Sequence, residues 1–334
     1  MAVAIGVLLV ILTIIVAYFY YKPTAKHNLW DALLDQGEYA QAKKLCKQKS
    51  DTQPASPAVK QCLAMSALML DNTSSEVFEE TAKYLIGKYP HSPYPLLIQA
   101  EVNTNQEEWE SAEKQYQQAL KINPNLPQAY FGLGQIAQFH YHKPVDAQKH
   151  YEKAVKLAPK NSRFRHNLAS IYAESKDYAK AAEHYKKLLA TDKDMPLAYV
   201  EWINVLLYQG LFKKAFNLSD ELQTVLNQQG IWDKELNKID WGFSTEKKTV
   251  YLQTQQEKEL YIKLQHSLTA ILAADEKDNK EMQTIIKPLD GLTLNGNLSY
   301  LLNSDVQRLK VIFKGSPAVE QRLKRFQALL EATP

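Results

Sequence analysis

The fold is decided by a pair of segments, YFGLGQIAQ at residues 130–138 and DAQKHYEKAVKLAP at residues 146–159. Their pattern of small residues, a tyrosine and a closing proline returns along the chain. Alanines mark the period at intervals of 35, 34 and 34 residues, at Ala112, Ala147, Ala181 and Ala215. A fixed period of this length predicts a stack of helical hairpins, an architecture that usually binds other molecules and rarely catalyses reactions.

Other residue types keep the same phase. Tyrosines follow four residues after three of these alanines, at Tyr116, Tyr151 and Tyr185. Small residues share one place in the first helices, at Ala100, Gly134 and Ala169. Small side chains are needed where two antiparallel helices cross closely. We therefore expect the tyrosines to fill the space between one hairpin and its neighbour.

A further segment, FRHNLASIYAESKDYAKAAEHYKKLL at residues 164–189, repeats this order. The pattern resembles the tetratricopeptide repeat family. The resemblance covers residues 93 to about 222, and it implies an all-α superhelix whose first helices line a concave binding face. The fourth unit departs from the pattern, because Ile203 and Ser219 replace a small residue and an aromatic one. It is either a distorted repeat or the start of a different packing.

An uncharged run, AVAIGVLLVILTIIVAYFYY, occupies residues 2–21. Twenty helical residues span about 30 Å, the thickness of a bilayer's hydrocarbon core. No Lys or Arg precedes the run, and aromatic residues lie where a cleaved signal peptide needs small ones. We therefore predict an uncleaved transmembrane anchor. Lys22 and Lys26 follow it, which favours a cytoplasmic body by the positive-inside rule, with a periplasmic body as the alternative.

The chain accordingly divides into an anchor (1–22), degenerate helical repeats (23–92), clear repeats (93–229) and a helical C-terminal region (230–334). In the last region we predict helices at 250–273, 277–287, 298–314 and 318–331, which together cap the solenoid. Its basic residues form either a solvated face or a patch for anionic lipid or an acidic partner. They are Arg308, Lys310, Lys314, Arg322, Lys324 and Arg325.

Composition excludes several classes of function. The net charge of the 334-residue chain is only +3, and no phosphate-binding GxGxxG or GxxxxGK[ST] sequence occurs. Cys46 and Cys62 lack the CxxC spacing of a zinc site, so they are either buried thiols or, in an oxidising compartment, one disulfide. His140 and His142 lie on different sides of a helix, which disfavours a metal site. We expect no metal, no cofactor and no enzymatic activity.

Alignment of the units nominates the residues of the binding groove. They are Tyr94, Leu97, Glu101, Gln128, Phe131, Gln135, Arg163, His166, Asn167, Ser170, Val200, Glu201 and Asn204. Some members of the family clamp a C-terminal carboxylate with lysine and asparagine. Only Arg163 and Asn167 fit that clamp here, so the resemblance implies an internal segment or a folded partner as the ligand.

The resemblance extends to membrane-anchored repeat proteins of bacterial inner membranes. It implies a protein-interaction scaffold or assembly factor for an envelope, pilus, secretion or cytochrome system, with protein partners and a membrane contact through residues 2–21. Two alternatives stay open. One is an enzyme with a site in residues 230–334, and the other is a lipid or nucleic-acid binder that uses the basic C-terminal helices.

Overall fold

The computed structural model describes residues 39–52, 59, 62–63, 66, 83, 92–193, 195–229, 241–244, 249–252, 255–274 and 296–331. The chain divides into two compact units, Met1–Gly132 and Leu133–Pro334. The predicted anchor at residues 1–22 lies outside the described part. Within the described part, no helix is both long and apolar enough to cross a membrane.

The first unit contains α1 (Tyr39–Thr52), α2 (Tyr94–Asn105), α3 (Trp109–Ile122) and the first part of α4 (Pro127–Gln135). Helices α2 and α3 form an antiparallel hairpin. Tyr116 of α3 is fully buried, and a Cβ atom at Gly132 would overlap its ring. The tyrosine therefore reaches past its own hairpin onto the first helix of the next one, as the sequence predicts.

A disulfide joins Cys46 of α1 to Cys62, and both residues are buried. The pairing decides between the two alternatives that the sequence leaves open for these cysteines. It closes a loop between positions 16 residues apart. The bridge therefore ties α1 to the helical residues around Cys62 and Ser66 within the first unit.

The second unit contains a stack of α5 (Pro144–Leu157), α6 (Ser162–Glu174), α7 (Tyr178–Thr191), α8 (Pro196–Tyr208) and α9 (Phe212–Gln229). Each helix packs against its sequence neighbour. Between α4 and α5, a π-helical turn at Ile136–His140 accommodates the extra residue of this repeat. Here too a tyrosine faces a glycine, because a Cβ atom at Gly134 would lie 2.5 Å from the Tyr151 ring.

The turn inside each hairpin contains one residue in the left-handed region of the backbone. These residues are Glu107 (φ 60°), His142 (φ 51°), Lys176 (φ 62°) and Gly210 (φ 72°). A side chain with a Cβ atom is strained in that conformation, so the first three turns carry a cost that the fourth avoids. The turn geometry is thus more regular than the sequence that encodes it.

The C-terminal region begins with a hairpin of two short antiparallel strands, β1 (Trp241–Ser244) and β2 (Thr249–Leu252). The prediction of a helix from residue 250 was therefore wrong at its start, because α10 runs from Gln255 to Ala273. Aromatic and β-branched residues such as Thr249, Val250 and Tyr251 favour a paired strand. In so short an apolar run, periodicity does not separate strand from helix.

Two further helices, α11 (Gly296–Ile312) and α12 (Pro317–Glu331), confirm the predictions at 298–314 and 318–331 to within a few residues. The predicted helix at 277–287 lies outside the described residues. Helix α10 packs mainly along α9. Ser219 of α9, which replaces the repeat's aromatic residue, is buried 2.8 Å from His266 Nδ1 of α10 and 3.0 Å from Thr269 Oγ1. The fourth unit therefore keeps the helical hairpin of the repeat, and the small side chain of Ser219 leaves room for α10 to pack against α9.

Candidate protein-binding surface

Six of the nominated residues form a half-buried polar surface on first helices of the second unit, which we call the inner polar cluster. The side chains of His166 and Glu201 are only 14% and 16% exposed. They are Gln135 of α4, Arg163, His166, Asn167 and Ser170 of α6, and Glu201 of α8. All three helices occupy the first position in their hairpins. The four α6 residues are spaced to share one face of that helix. Gln135 and Ser170 occupy equivalent places in successive repeats, as do Asn167 and Glu201, which places the six on the same side of the stack.

The cluster is organised around Glu201. Its Oε2 atom lies 2.7 Å from Nε2 of His166 and accepts a hydrogen bond of 2.9 Å from the Tyr185 hydroxyl. Burial alone would lower the pKa of His166, but the Glu201 carboxylate and its hydrogen bond raise that pKa above its usual value of 6.5. Burial and the same carboxylate raise the pKa of Tyr185. Tyr185 is therefore a neutral donor that holds Glu201 in place.

The remaining cluster residues offer hydrogen-bonding groups along α6 and α4. The Asn167 amide donates to the backbone carbonyl of Arg163 at 2.9 Å, which orients that side chain along the helix. The Oε1 atom of Gln135 is enclosed and has no hydrogen-bond partner among the described residues. A buried acceptor left unbonded is costly to the fold, and its enclosure keeps this atom from direct contact with a ligand.

Six other nominees are buried in the packing of the hairpins and do not face a groove. They are Tyr94, Leu97, Glu101, Gln128, Phe131 and Val200. Phe131, for example, is only 1% exposed. The nomination was wrong for these residues because α2, α4 and α8 are buried around most of their circumference. A helix buried on nearly all sides has no outward face that the sequence pattern alone can identify.

The side chain of the last nominated residue, Asn204, is already hydrogen-bonded within the protein. Its Oδ1 atom accepts a 2.8 Å hydrogen bond from Gln265 of α10, and Gln265 also donates to the Val200 carbonyl at 3.0 Å. Asn204 in turn lies 3.4 Å from the Tyr261 hydroxyl. Helix α10 therefore covers the inner face of the fourth hairpin, and the open surface ends at Glu201.

Beyond Asn204, a buried polar network joins α8, α10 and α11. Asp305 accepts hydrogen bonds from Tyr261 at 2.9 Å and from Tyr208 at 3.4 Å, while Arg308 donates to the Tyr208 hydroxyl. Burial raises the pKa of Asp305 to about 6, against the opposing effect of these donors. Sequence reasoning missed this network because its members lie 44 to 100 residues apart and belong to no motif.

Only some of the residues in the predicted basic patch are exposed on the surface of the C-terminal helices, and the others make contacts within the protein. Arg308 stacks on Tyr208, Lys310 donates to Gln327 at 2.6 Å, and Arg322 donates to the Leu272 carbonyl at 2.7 Å. These three residues hold the C-terminal helices together. Lys314, Lys324 and Arg325 are exposed.

Little in the described residues points to catalysis. No group of three metal-ligating side chains comes together there. The Ser219–His266 pair has the distance of a nucleophile and its base, but Ser219 is 2% exposed and bonded to Thr269. Burial also lowers the pKa of His266. The pair is therefore suited to packing α10 on α9 rather than to attacking a substrate.

Family comparisons agree with the period and the hairpin geometry. Residues 102–138 match the family model described as TPR repeat, and residues 138–200 match the one described as tetratricopeptide repeat. Residues 102–200 are tetratricopeptide repeats. The repeats indicate a protein that binds other proteins, and the family is in general not enzymatic.

Curated relatives match parts of the chain. Anaphase-promoting complex subunit 3 of Schizosaccharomyces pombe is 24% identical over 181 residues, which is 54% of this chain and 27% of that protein. Protein O-mannosyl-transferase TMTC3 of Mus musculus is 33% identical over 76 residues, which is 23% of this chain and 8% of that protein. The chain thus spans about a quarter or less of the relatives that it matches.

Among solved structures, the APC/C hetero-tetramer Cut9-Hcn1 superposes with a TM-score of 0.52 and 11% identity. The match covers 89% of this chain and 54% of that one. At this identity the similarity shows a shared fold and carries no information on ligands.

Proposed function

We propose that this protein is a membrane-anchored interaction scaffold, and that the inner polar cluster binds an extended segment of a partner protein. Three successive first helices present polar side chains to the same side, and the proposal rests on that recurrence. An extended chain suits such a surface because its backbone N–H and C=O groups repeat along its length. Arg163 and Asn167 would donate to carbonyl or carboxylate oxygens of that segment.

The scaffold would be held at the bilayer by residues 2–21, whose length and lack of charge are those of a spanning helix. The disulfide between Cys46 and Cys62 bears on the orientation of the anchor. Disulfides persist in oxidising compartments and are rare in the cytosol. The bridge therefore weighs against the cytoplasmic body that Lys22 and Lys26 favour, and we place the repeats on the non-cytoplasmic side.

A substitution in the cluster tests partner binding. We expect Arg163→Ala with Asn167→Ala to reduce crosslinked recovery of partners from membranes by about tenfold or more, since hot-spot residues contribute over 1.4 kcal/mol. Both side chains are half-exposed, so the unfolding midpoint stays near that of the wild type. Phe131 is unsuitable for this test, because its truncation would damage the core.

The matched control is Lys156→Ala with Lys186→Ala, which removes two exposed side chains from second helices. This variant should recover partners as the wild type does. Equal loss in both double variants would mean that binding is electrostatic and diffuse. Full recovery by the cluster variant would show that partners use another surface.

A further inference from the structure

The turns inside the hairpins of the second unit lie along one edge of the stack, which we call the turn edge. Gln138, at the end of the α4 turn, donates to Glu174 at the end of α6 over 3.0 Å. The rings of Tyr178 and Tyr208 lie 5.6 Å apart and join the next two turns. Phe313, between α11 and α12, then lies 5.3 Å from Phe212, at the start of α9. Contacts thus run continuously from the first turn to the last.

The turn edge carries an unusual concentration of exposed apolar side chains. They are Phe139, Tyr141, Val145, Leu211, Val311 and Ile312. Val145 and Val311 are 64% and 72% exposed. Among the described residues, the only other large apolar side chain with comparable exposure is Ile122, in the first unit. Clustering on one edge distinguishes these six residues from the scattered apolar residues of an ordinary surface.

Exposed lysines are interleaved with the apolar residues. They are Lys143, Lys176, Lys213, Lys214 and Lys314. Of the acidic residues in the same turns, Asp146 pairs with Lys149 at 3.2 Å and Asp177 pairs with Lys180 at 3.0 Å. Glu174 accepts the bond from Gln138. The edge therefore presents apolar groups within a mainly positive field.

We propose that the turn edge of the second unit lies against the membrane, with its apolar side chains in the headgroup region and its lysines on anionic phosphates. The proposal rests on the anchor in the proposed function. Aromatic and aliphatic residues flanked by lysine are the composition of interfacial membrane surfaces. Each lysine near an anionic surface contributes about 1 kcal/mol. Such a docked edge would leave the inner polar cluster, on another side of the stack, open to partners.

Spin-label accessibility in the full-length protein tests this arrangement. The native cysteines are bonded to each other, so a single added cysteine is the labelling site. The variants are Val145→Cys, Val311→Cys and the control Lys160→Cys. Lys160 is exposed and follows the far end of α5, about 20 Å along that helix from the turn edge.

The three labelled proteins are reconstituted in vesicles of phosphatidylethanolamine and phosphatidylglycerol. We expect collisions with oxygen to exceed those with a water-soluble nickel chelate at positions 145 and 311, and the reverse at 160. Replacing the lipid with phosphatidylcholine should move positions 145 and 311 toward the values at 160. Nickel accessibility at 145 and 311 equal to that at 160 would overturn the proposal.

Exclusion of both reagents at 145 and 311 would also overturn it, because a protein or a second copy would then cover the edge. Partner recovery by the inner polar cluster is measured independently in membranes. Failure of the membrane contact is therefore distinguishable from failure of the binding function.

Discussion

At the scale of single residues, the repeat tolerates side chains in backbone conformations that suit glycine. Lys176 has a φ of 62° at the same place in its turn where Gly210 has 72°. A left-handed lysine costs about 1 kcal/mol relative to glycine, which offsets the greater entropy that glycine loses on folding. The position is therefore a site where a smaller residue stabilises the fold.

We predict that Lys176→Gly raises the free energy of unfolding by about 0.5 kcal/mol. The matched control is Lys186→Gly, in the interior of α7, which should lower it by about 1 kcal/mol because glycine is a poor helix former. Urea unfolding followed by circular dichroism measures both changes. Two shifts of the same sign would show that the turn at Lys176 is unstrained in solution.

Asp305 makes stability depend on pH. Its folded pKa of about 6 lies above its usual 3.8, so the folded state holds a proton that the unfolded chain has lost between these values. Stability from this group is full below pH 4 and is lost as the pH rises through 6. We predict that the stability of Asp305→Asn relative to the wild type increases by on the order of 3 kcal/mol between pH 4 and 7. A difference that stays constant over this range in urea titrations would contradict the prediction.

At the scale of elements, the sequence was most informative where the repeats are regular. Alanines and tyrosines on a fixed period predicted α3 to α7 because each buried position recurs in the same surroundings. The strands β1 and β2 were not predicted, since the periodicity of a four-residue run does not distinguish a strand from a helix. The groove was predicted only in part, because residues such as Phe131 and Val200 are buried by contacts from more than one side, which a helical alignment does not describe.

The docking of α10 on the fourth hairpin is the element-scale feature that limits the binding surface. Gln265 bonds both Asn204 and the Val200 carbonyl. We predict that Gln265→Ala destabilises the second unit by about 1–3 kcal/mol, because it leaves buried acceptors without a donor. Hydrogen exchange should become faster in α10 and stay unchanged in α6. Uniform acceleration in both helices would indicate that α10 and the repeats unfold as one body.

The docking of α10 also limits the surface on which a partner can bind. Because α10 occupies the face at Asn204, the extended ligand that we propose would contact α4, α6 and the start of α8 and go no further. The ion pair between His166 and Glu201 lies at that limit. It marks the end of the open surface, so a partner's footprint should extend from there toward Gln135.

At the scale of the whole molecule, the proposed anchor raises the question of which side of the membrane holds the repeats. Two lysines after the predicted anchor favour the cytoplasm, while a buried disulfide favours an oxidising compartment. The positive-inside bias of two charges is small. Closing a loop of about 16 residues, by contrast, stabilises a fold by about 3 kcal/mol.

We therefore predict that the Cys46–Cys62 bond forms in the cell. Cells quenched in acid and treated with a maleimide polymer should yield full-length protein without a mass shift, and prior reduction should add two polymers. Cys46→Ala with Cys62→Ala is the control that takes up none, and it should unfold at lower urea because the loop is open. Labelling of both thiols without reductant would place the first unit in a reducing compartment. The lysines, rather than the disulfide, would then give the orientation of the protein.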